Sequence, residues 1–258
     1  MMKSNFHTHH YLCQHAKGNV CDYVIEAINN GFDIIGISDH GPINAEAFPR
    51  MSLDEFYNVY LKELEEAINK YGNQIKIKKG LEIEYIKGDE KHYKKLLEHL
   101  DYLILGPHYY ESLPNLHPYS SYHVNSHELL ERYTNTILEA LDTKLFKILA
   151  HPDLFIYGYG DLDEFGVNCV KKIVESCVKN DVILEFNSGG IRNNKRFDEF
   201  GNPKYNVPNN LFWKVVENTN AKVIVGSDCH TPEELDDDAF KKANELVNTY
   251  NLNIAKTI

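Results

Sequence analysis

The stretch "DIIGISDH" at residues 33–40 carries the pattern from which the fold can be predicted. A short apolar run of strand type is followed at once by a carboxylate and a histidine, Asp39 and His40. Short apolar runs bounded by polar residues are typical of buried strands. Six more such runs occur along the chain, so we predict seven strands; the other six lie at residues 5–7, 75–83, 101–106, 146–150, 182–186 and 221–227.

Stretches with apolar residues at helical spacing separate these runs. The clearest begins at Ser52, a predicted N-cap whose capping box is completed by Glu55, and ends at Gly72. Alternation of strands and helices implies an α/β fold with a parallel sheet. Seven such units in 258 residues favour a closed or nearly closed barrel, with a doubly wound open sheet as the alternative. We predict a single domain over residues 1–258. The other helical stretches lie at 20–32, 126–143, 164–180, 208–219 and 231–250.

Every predicted strand ends in polar or metal-capable side chains. The active sites of α/β barrels are built at the carboxyl ends of the strands, so these side chains should meet at one mouth. Residues two apart on a strand share a face, which lets both histidines of "HTH" (residues 7–9) reach one ion, and "DCH" (228–230) repeats that spacing. In chain order the strand-end residues are His7 and His9, Asp39 and His40, Glu82 and Glu84, His108, His151 and Asp153, Glu185 and Asn187, and Asp228 and His230.

The histidines favour a metal site. Seven of the thirteen, the six above and His15, lie near strand ends. One such histidine would most simply be a structural polar group, but seven together with three carboxylates favour metal ligation. Imidazole and carboxylate without thiolate pairs suit Zn²⁺, Mn²⁺ or Fe²⁺ better than Mg²⁺ or Ca²⁺. So many ligands predict three divalent ions with a bridging carboxylate, an arrangement suited to phosphoester chemistry. The remaining histidines are predicted to be surface or structural, with His117 and His123 as candidates for the cleft.

Charge and cysteine content narrow the class of protein. A net charge of −11 argues against non-specific binding to nucleic acid or to an anionic membrane. No apolar run approaches the roughly 20 residues of a membrane helix, and no signal pattern follows Met1. Five cysteines without a CxxC pair indicate free thiols. We therefore expect a cytoplasmic protein. Cys13 and Cys229 lie near histidine motifs and could be ligands, although buried thiols are the simpler interpretation.

The motifs "HTH", "SDH", "GLE", "GPH", "AHPD" and "SDCH", in this order, resemble the polymerase and histidinol phosphatase (PHP) superfamily over nearly the whole chain. This resemblance implies a distorted (β/α)7 barrel that holds a trinuclear metal centre. Four further stretches resemble the histidinol-phosphate phosphatase branch: "CQHAKG", "ISDHGP", "KGLEIEYIKG" and "EFNSGGIRN". Other members of the superfamily hydrolyse nucleotides or DNA ends.

The resemblance also implies a ligand set for each ion. On the residues alone Glu84 is an alternative bridge, because it shares a face with Glu82, but the family position after "Gly-x" favours Glu82. The first ion would be held by His7, His9, Glu82 and Asp228, the second by Glu82, His108 and His151, and the third by His15, His40 and His230.

The implied activity is hydrolysis of L-histidinol phosphate to L-histidinol and phosphate, a step of histidine biosynthesis, by attack of a metal-bridging hydroxide on phosphorus. Glu82, Asp228 and His9 would stand at the catalytic centre. The acid for the leaving group stays open among Asp39, Asp153 and metal-bound water. The alternative is a phosphoesterase of the same superfamily that acts on nucleotides or DNA ends, but a nuclease should carry a basic groove, which the charge disfavours.

Substrate contacts beyond the ions are predicted from side-chain chemistry. Arg192 and Arg196 follow the sixth strand and could clamp the phosphate, because guanidinium offers paired donors. A solvated surface arginine is the alternative for each. The ammonium and imidazole of the substrate call for carboxylates, and the candidates are Asp161, Asp163 and Glu185. The sequence does not indicate an oligomeric state.

Overall fold

The structure is a computed structural model that describes residues 2–45, 49–111, 118–194, 196–197, 199–201 and 203–258. Its main sheet has eight strands, and every neighbouring pair is parallel. Each of the seven predicted runs contains or overlaps one of them. In spatial order they are β1 Ser4–Asn5, β2 Ile34–Ile37, β3 Lys76–Ile83, β4 Tyr102–Leu105, β7 Ile148–Leu149, β8 Ile183–Asn187, β9 Lys222–Gly226 and β10 Asn253–Ile254.

Three short strands were not predicted. β5 (Tyr109–Tyr110) and β6 (Tyr119–Ser120) form a separate antiparallel pair. The third is β10, which adds to the sheet beside β9. Each has only two residues, and none of the predicted runs includes them.

The sheet curls until its two ends meet, as a barrel requires. Thr8, just beyond β1, forms a parallel bridge with Cys229, just beyond β9. The His9 amide donates to the Cys229 carbonyl at 2.9 Å, and the Asp228 amide donates to the His7 carbonyl at 3.0 Å. At the other end of these strands, β10 lies next to β9. The prediction of a distorted barrel is confirmed, and the open-sheet alternative is wrong. The single domain over 1–258 stays a prediction.

Helices follow most strands. The predicted capping box is present, since the Ser52 hydroxyl accepts from the Glu55 amide at 3.2 Å and the Glu55 carboxylate accepts from the Ser52 amide at 2.7 Å. That short helix runs through a π-helical segment, Phe56–Tyr60, into the next helix. The helices are α1 Val20–Asn29, α2 Leu53–Glu55, α3 Leu61–Tyr71, α4 Glu90–Leu97, α5 His127–Asp142, α6 Ile156–Tyr159, α7 Glu164–Asn180, α8 Gly189–Arg192, α9 Asn210–Val216 and α10 Asp238–Val247.

The barrel interior is apolar at the amino ends of the strands. The Tyr102 ring lies across it and donates its hydroxyl to the Phe6 carbonyl at 2.7 Å. Gly80 leaves room for that ring, because a Cβ there would lie 2.3 Å from it. This layer fills the lower barrel, so the polar side chains occupy the carboxyl ends. Its members are Phe6, Ile34, Tyr102, Ile104, Ile148, Ala150, Ile183 and Ile224.

A second, larger apolar core lies between the sheet and the surrounding helices. Among the described residues, no helix is both long enough and apolar enough to span a membrane.

Candidate metal centre

Glu82, near the end of β3, stands at the centre of the site and is buried. Its two carboxylate oxygens face different histidines, which is the arrangement expected of a bridging ligand. Oε2 lies 3.4 Å from Nε2 of His7, 3.4 Å from Nε2 of His9 and 3.1 Å from Nδ1 of His40. Oε1 lies 3.0 Å from Nε2 of His151 and 3.6 Å from Nε2 of His108.

The first predicted ligand set is gathered on the Oε2 side of Glu82. The Nε2 atoms of His7 and His9 point toward one place and lie 3.0 Å apart. Asp228 Oδ1 lies 3.2 Å from Nε2 of His9 and 3.6 Å from Nε2 of His7. Donor atoms of His7, His9 and Glu82 all lie within 4.8 Å of one another, so one ion could contact them together.

The second predicted set is gathered on the other side. Donor atoms of Glu82, His108 and His151 lie within 4.8 Å of one another. The two imidazole rings have centroids 4.8 Å apart.

The third predicted set is gathered less tightly. Donor atoms of His40 and His230 fall within 4.8 Å of one another and of a nitrogen of His9. The His15 ring is still close, with its centroid 5.3 Å from that of His40 and 5.1 Å from that of His230. Its Nδ1 lies 2.7 Å from the Cys13 carbonyl, which would leave Nε2 as the nitrogen for an ion.

These residues fit divalent metal ions. Within the described part of the chain, buried Glu82 Oε2 has no hydrogen bond of good geometry although three imidazoles surround it. A buried charge without a partner is costly, and a cation would remove that cost. Burial lowers the pKa of His9, but hydrogen bonds with Asp228 and Asp39 outweigh it and raise that pKa to about 9. The carboxylates around His9 therefore favour positive charge at this position.

Three more carboxylates lie behind the histidines and orient them. Glu185 Oε1 is 2.7 Å from Nδ1 of His7, Asp39 Oδ1 is 3.4 Å from Nδ1 of His9, and Glu84 Oε1 is 3.1 Å from Nδ1 of His108. Carboxylates on the far nitrogen of a ligating histidine fix its ring and raise its basicity.

The position of Glu84 therefore does not suit a ligand that bridges two ions. Arg50 binds both of its oxygens, at 2.6 and 3.0 Å. Burial raises the pKa of Glu84, but Arg50 and His108 outweigh it and hold that pKa well below its usual range.

Glu185, predicted to bind the substrate, lies beneath the site instead. Its Oε1 contacts His7, and its Oε2 accepts from the His151 amide at 3.0 Å and from Asn187 Nδ2 at 2.8 Å. It does not line the cleft, because the glycine at 226 leaves space into which the carboxylate folds; a Cβ there would overlap Oε1.

The positions of the two arginines do not suit a phosphate clamp. The Arg192 guanidinium binds Asp237 at 2.6 and 3.3 Å and also donates to the carbonyls of Ser227 and Glu234, at 3.1 and 3.2 Å. Its donors therefore serve the protein itself. Arg196 is exposed and donates to Asn206. Neither arginine lines the cleft.

The remaining candidates lie away from the cleft. The Asp161 side chain is 97% exposed and lies 3.7 Å from Lys204. Asp163 caps α7 by accepting from the Gly166 amide at 2.8 Å, and it also binds His127 at 2.7 Å. His123 is exposed and does not line the cleft, and His117 lies outside the described residues.

Neither aspartate offered as the acid for the leaving group lines the cleft. Asp39 is buried between His9 and His10; burial alone would raise its pKa, but these histidines hold that pKa well below the usual range. Burial raises the pKa of Asp153 to about 7, and its Oδ2 accepts from the Asn209 amide at 2.5 Å.

All five thiols are free, and four of them, including Cys13 and Cys229, are buried. Cys13 Sγ lies within 4.8 Å of donor atoms of His9 and Asp39, yet burial raises the pKa of Cys13, and likewise that of Cys229, to about 12. The buried-thiol interpretation is the one that this environment favours, since a thiol must lose its proton to bind metal.

The backbone is strained at two of the gathered residues. His151 has a φ of +26° and Asp228 a φ of +50°, both in the left-handed region that side chains rarely adopt. Such strain concentrates at functional sites, where the surrounding structure enforces it. Gly106 has a related role, because a Cβ there would lie 2.7 Å from Glu82 Oε1.

The gathered histidines open into a cleft of about 410 Å³, a size typical of small-molecule sites. Three tyrosines in its wall, Tyr109, Tyr122 and Tyr157, were not among the residues predicted from the sequence. Two of them could have been predicted from their positions in the sequence, since Tyr109 follows His108 directly and Tyr157 lies in the segment after His151. The rest of the described lining is His15, His40, Glu82, His108, Ser120, His151, Leu154, Asn187, Gly189, Gly190, Asn193, Val207, Asp228 and His230.

Known proteins resemble this chain in sequence and in fold. A Deinococcus radiodurans protein named "Probable histidinol-phosphatase" is 26% identical over 236 residues, which cover 89% of this chain and 86% of that protein. A Schizosaccharomyces pombe protein of the same name is 30% identical over 125 residues, but the match spans only 44% of this chain and 41% of that protein.

Among solved structures, histidinol phosphate phosphatase from Lactococcus lactis, in complex with zinc, L-histidinol and phosphate, superposes with a TM-score of 0.69. The superposition covers 98% of this chain and 95% of that one at 17% identity, a likeness of fold. The family model for the PHP domain matches residues 5–189, well over half of the sequence. This chain belongs to the PHP domain family.

Proposed function

We propose that this chain is a divalent-metal-dependent phosphatase that hydrolyses L-histidinol phosphate to L-histidinol and phosphate. The observation that carries the proposal is the position of Glu82, whose two oxygens face separate histidine groups on the floor of a small cleft. Divalent ions bound there would polarise the phosphoryl group and supply a nucleophile from water near neutral pH.

The proposed ligands are those named from the sequence, with Zn²⁺, Mn²⁺ or Fe²⁺ as the ions. His7, His9, Glu82 and Asp228 would hold one, Glu82, His108 and His151 a second, and His15, His40 and His230 a third. The donor clusters around Glu82 support the first two sets. The ring distances around His15 support the third.

The protein's own contribution is position and burial. Glu185 and Glu84 orient the imidazoles of His7 and His108 from behind, and Asp39 places a negative charge 3.4 Å from Nδ1 of His9. Arg50 neutralises Glu84, so the carboxylate behind His108 stays ionised although it is buried. Fixed charges that need not reorganise are what makes electrostatic stabilisation of a transition state effective.

The residues that line the cleft also favour a small phosphate monoester whose organic part is cationic. The described lining of the cleft contains histidines, tyrosines and carboxylates but neither lysine nor arginine. A polyphosphate or a nucleic-acid backbone would need such cations, whereas a small monoester whose organic part is cationic would not. Histidinol phosphate, with its ammonium group, is such a monoester, and the relatives named above point to the same substrate.

A substrate panel tests this proposal. Specificity constants would be measured with Zn²⁺ or Mn²⁺ for histidinol phosphate, AMP, a sugar phosphate and a short single-stranded oligonucleotide. We expect histidinol phosphate to lead by at least about 100-fold, roughly 2.7 kcal/mol of differential transition-state binding. The Glu82→Gln variant in parallel shows whether each activity arises at this site. A nucleotide or DNA substrate that ranked first would refute the proposed substrate and leave the family assignment intact.

A further inference from the structure

Two tyrosines from separate segments form one aromatic surface in the cleft. Tyr122 lies in a 3₁₀ turn, Ser121–His123, and Tyr157 lies in α6. Their ring centroids are 5.6 Å apart with an interplanar angle of 42°. Both line the cleft, yet their residues remain 48% and 42% exposed. Apolar ring surface left open inside a concavity is a feature of ligand sites.

The two segments are packed too closely for the pairing to be incidental. A Cβ on Gly158, next to Tyr157, would lie 2.6 Å from the Tyr122 carbonyl oxygen and 2.8 Å from the Val124 amide nitrogen. Only glycine allows this contact between α6 and the turn. The turn is fixed from its other side, since the buried Ser121 hydroxyl donates to the Pro107 carbonyl. The aromatic surface is therefore preorganised, which lowers the cost of binding a ligand.

The phenol hydroxyls of the pair are also available. Neither Tyr122 nor Tyr157 has a side-chain hydrogen bond to another residue in the described ranges, although both side chains face a cleft rich in polar groups. A flat ligand ring with nitrogen atoms could stack on the tyrosine rings and bind these hydroxyls at its edge.

We propose that Tyr122 and Tyr157 bind the imidazole ring of the substrate and thereby determine specificity. The inference rests on the proposed function, which places the phosphoryl group at the histidine cluster on the floor of the same cleft. The substrate's imidazole is joined to that group by a short carbon chain, so it must contact the cleft wall. The paired rings offer this imidazole a stacking surface.

The experiment compares two monoesters that share an ammonium group and differ in the ring. Histidinol phosphate has the imidazole and ethanolamine phosphate lacks it. We expect Tyr122→Ala and Tyr157→Ala each to lower kcat/KM for histidinol phosphate by at least about tenfold, mainly through KM. For ethanolamine phosphate the change should stay within about twofold. Tyr122→Phe should keep most of the efficiency, because it keeps the ring.

The matched control is Tyr57→Ala, which removes a similarly exposed tyrosine that packs on His99 away from the cleft. Tyr122→Leu keeps the bulk and removes the aromatic face, so it provides the same test if an alanine variant folds poorly. Alanine and leucine variants that retain the wild-type preference for histidinol phosphate would overturn the inference alone. Equal loss on both esters would show a merely structural role and would overturn it too. A wild-type enzyme without any preference for histidinol phosphate would refute the proposed function and this inference together.

Discussion

Glu82 and Glu84 show how two identical side chains, two residues apart, acquire different roles. Period-two geometry places both on one side of the chain, so spacing alone cannot distinguish them. Glu82 lies within β3, and the glycine at 106 on the adjacent segment leaves it room to reach the histidines. Glu84 lies just beyond the end of the strand, where Arg50 takes up both of its oxygens. Tertiary neighbours therefore decide which carboxylate is central.

We expect Glu82→Gln to lower the metal content by at least one ion per chain and kcat/KM by about 10³-fold or more, because a neutral amide bridges two cations poorly. Elemental analysis after dialysis, combined with steady-state kinetics, measures both. Glu84→Gln is the matched control, the same chemical change behind His108; it should retain the ions and cost at most about 10- to 100-fold. The opposite ranking, with ions lost only from the Glu84 variant, would show that Glu84 is the bridge.

At the scale of elements, the seven strands and their polar ends were predictable because each strand carries its own signal. The inward-facing residues of β4 and of the segment that follows it are Tyr102, Ile104, Gly106 and His108. In this order they lead from the apolar layer of the barrel to the candidate metal site. β10 and α8, which have two and four residues, lie outside the stretches that carry such a signal. Sequence also showed carboxylates at strand ends without showing which would face an ion and which would lie behind a ring, because that depends on neighbouring strands.

Arg192 is the side chain whose role changed most between sequence and structure. It ends α8 and ties it to the segment after β9, where its NH1 also approaches the Asp228 carbonyl at 3.4 Å. We expect Arg192→Ala to lower the free energy of unfolding by about 2 kcal/mol, since partly buried charge-assisted hydrogen bonds are lost and Asp237 loses its partner. Denaturant unfolding measures this change.

Arg196→Ala is the control for that variant. Because Arg196 is exposed, its replacement should leave both stability and kcat/KM near the wild-type values. The alternative, a phosphate clamp, makes a different prediction: Arg192→Ala would then leave stability unchanged and raise KM for histidinol phosphate. That result would show that Arg192 leaves Asp237 to bind the substrate.

At the scale of the whole molecule, the site connects the first and last parts of the sheet, which meet where the barrel closes. His7 and His9 follow β1, while Asp228 and His230 follow β9, and the Thr8–Cys229 bridge joins these segments. Glu82 and His151 come from strands in between. Ions held by this set would therefore link segments that are more than 200 residues apart in sequence and would stabilise the closed barrel.

Removal of metal should accordingly lower the thermal stability of the whole chain. A ligand at about 100 times its Kd stabilises the folded state by roughly 2.7 kcal/mol, which for a protein of this size corresponds to a Tm shift of about 5–10 °C. Histidines must lose protons to bind an ion, so the shift should be larger at pH 8 than at pH 6. Thermal unfolding with and without EDTA, followed by Zn²⁺ or Mn²⁺ repletion, measures this shift at each pH. Glu82→Gln should show a much smaller shift at both values, because its ligand set is broken. If EDTA abolished turnover but left the wild-type Tm unchanged at pH 8, the ions would bind without stabilising the junction between the segments after β1 and β9. The closure of the barrel would then rest on the Thr8–Cys229 backbone pairing alone.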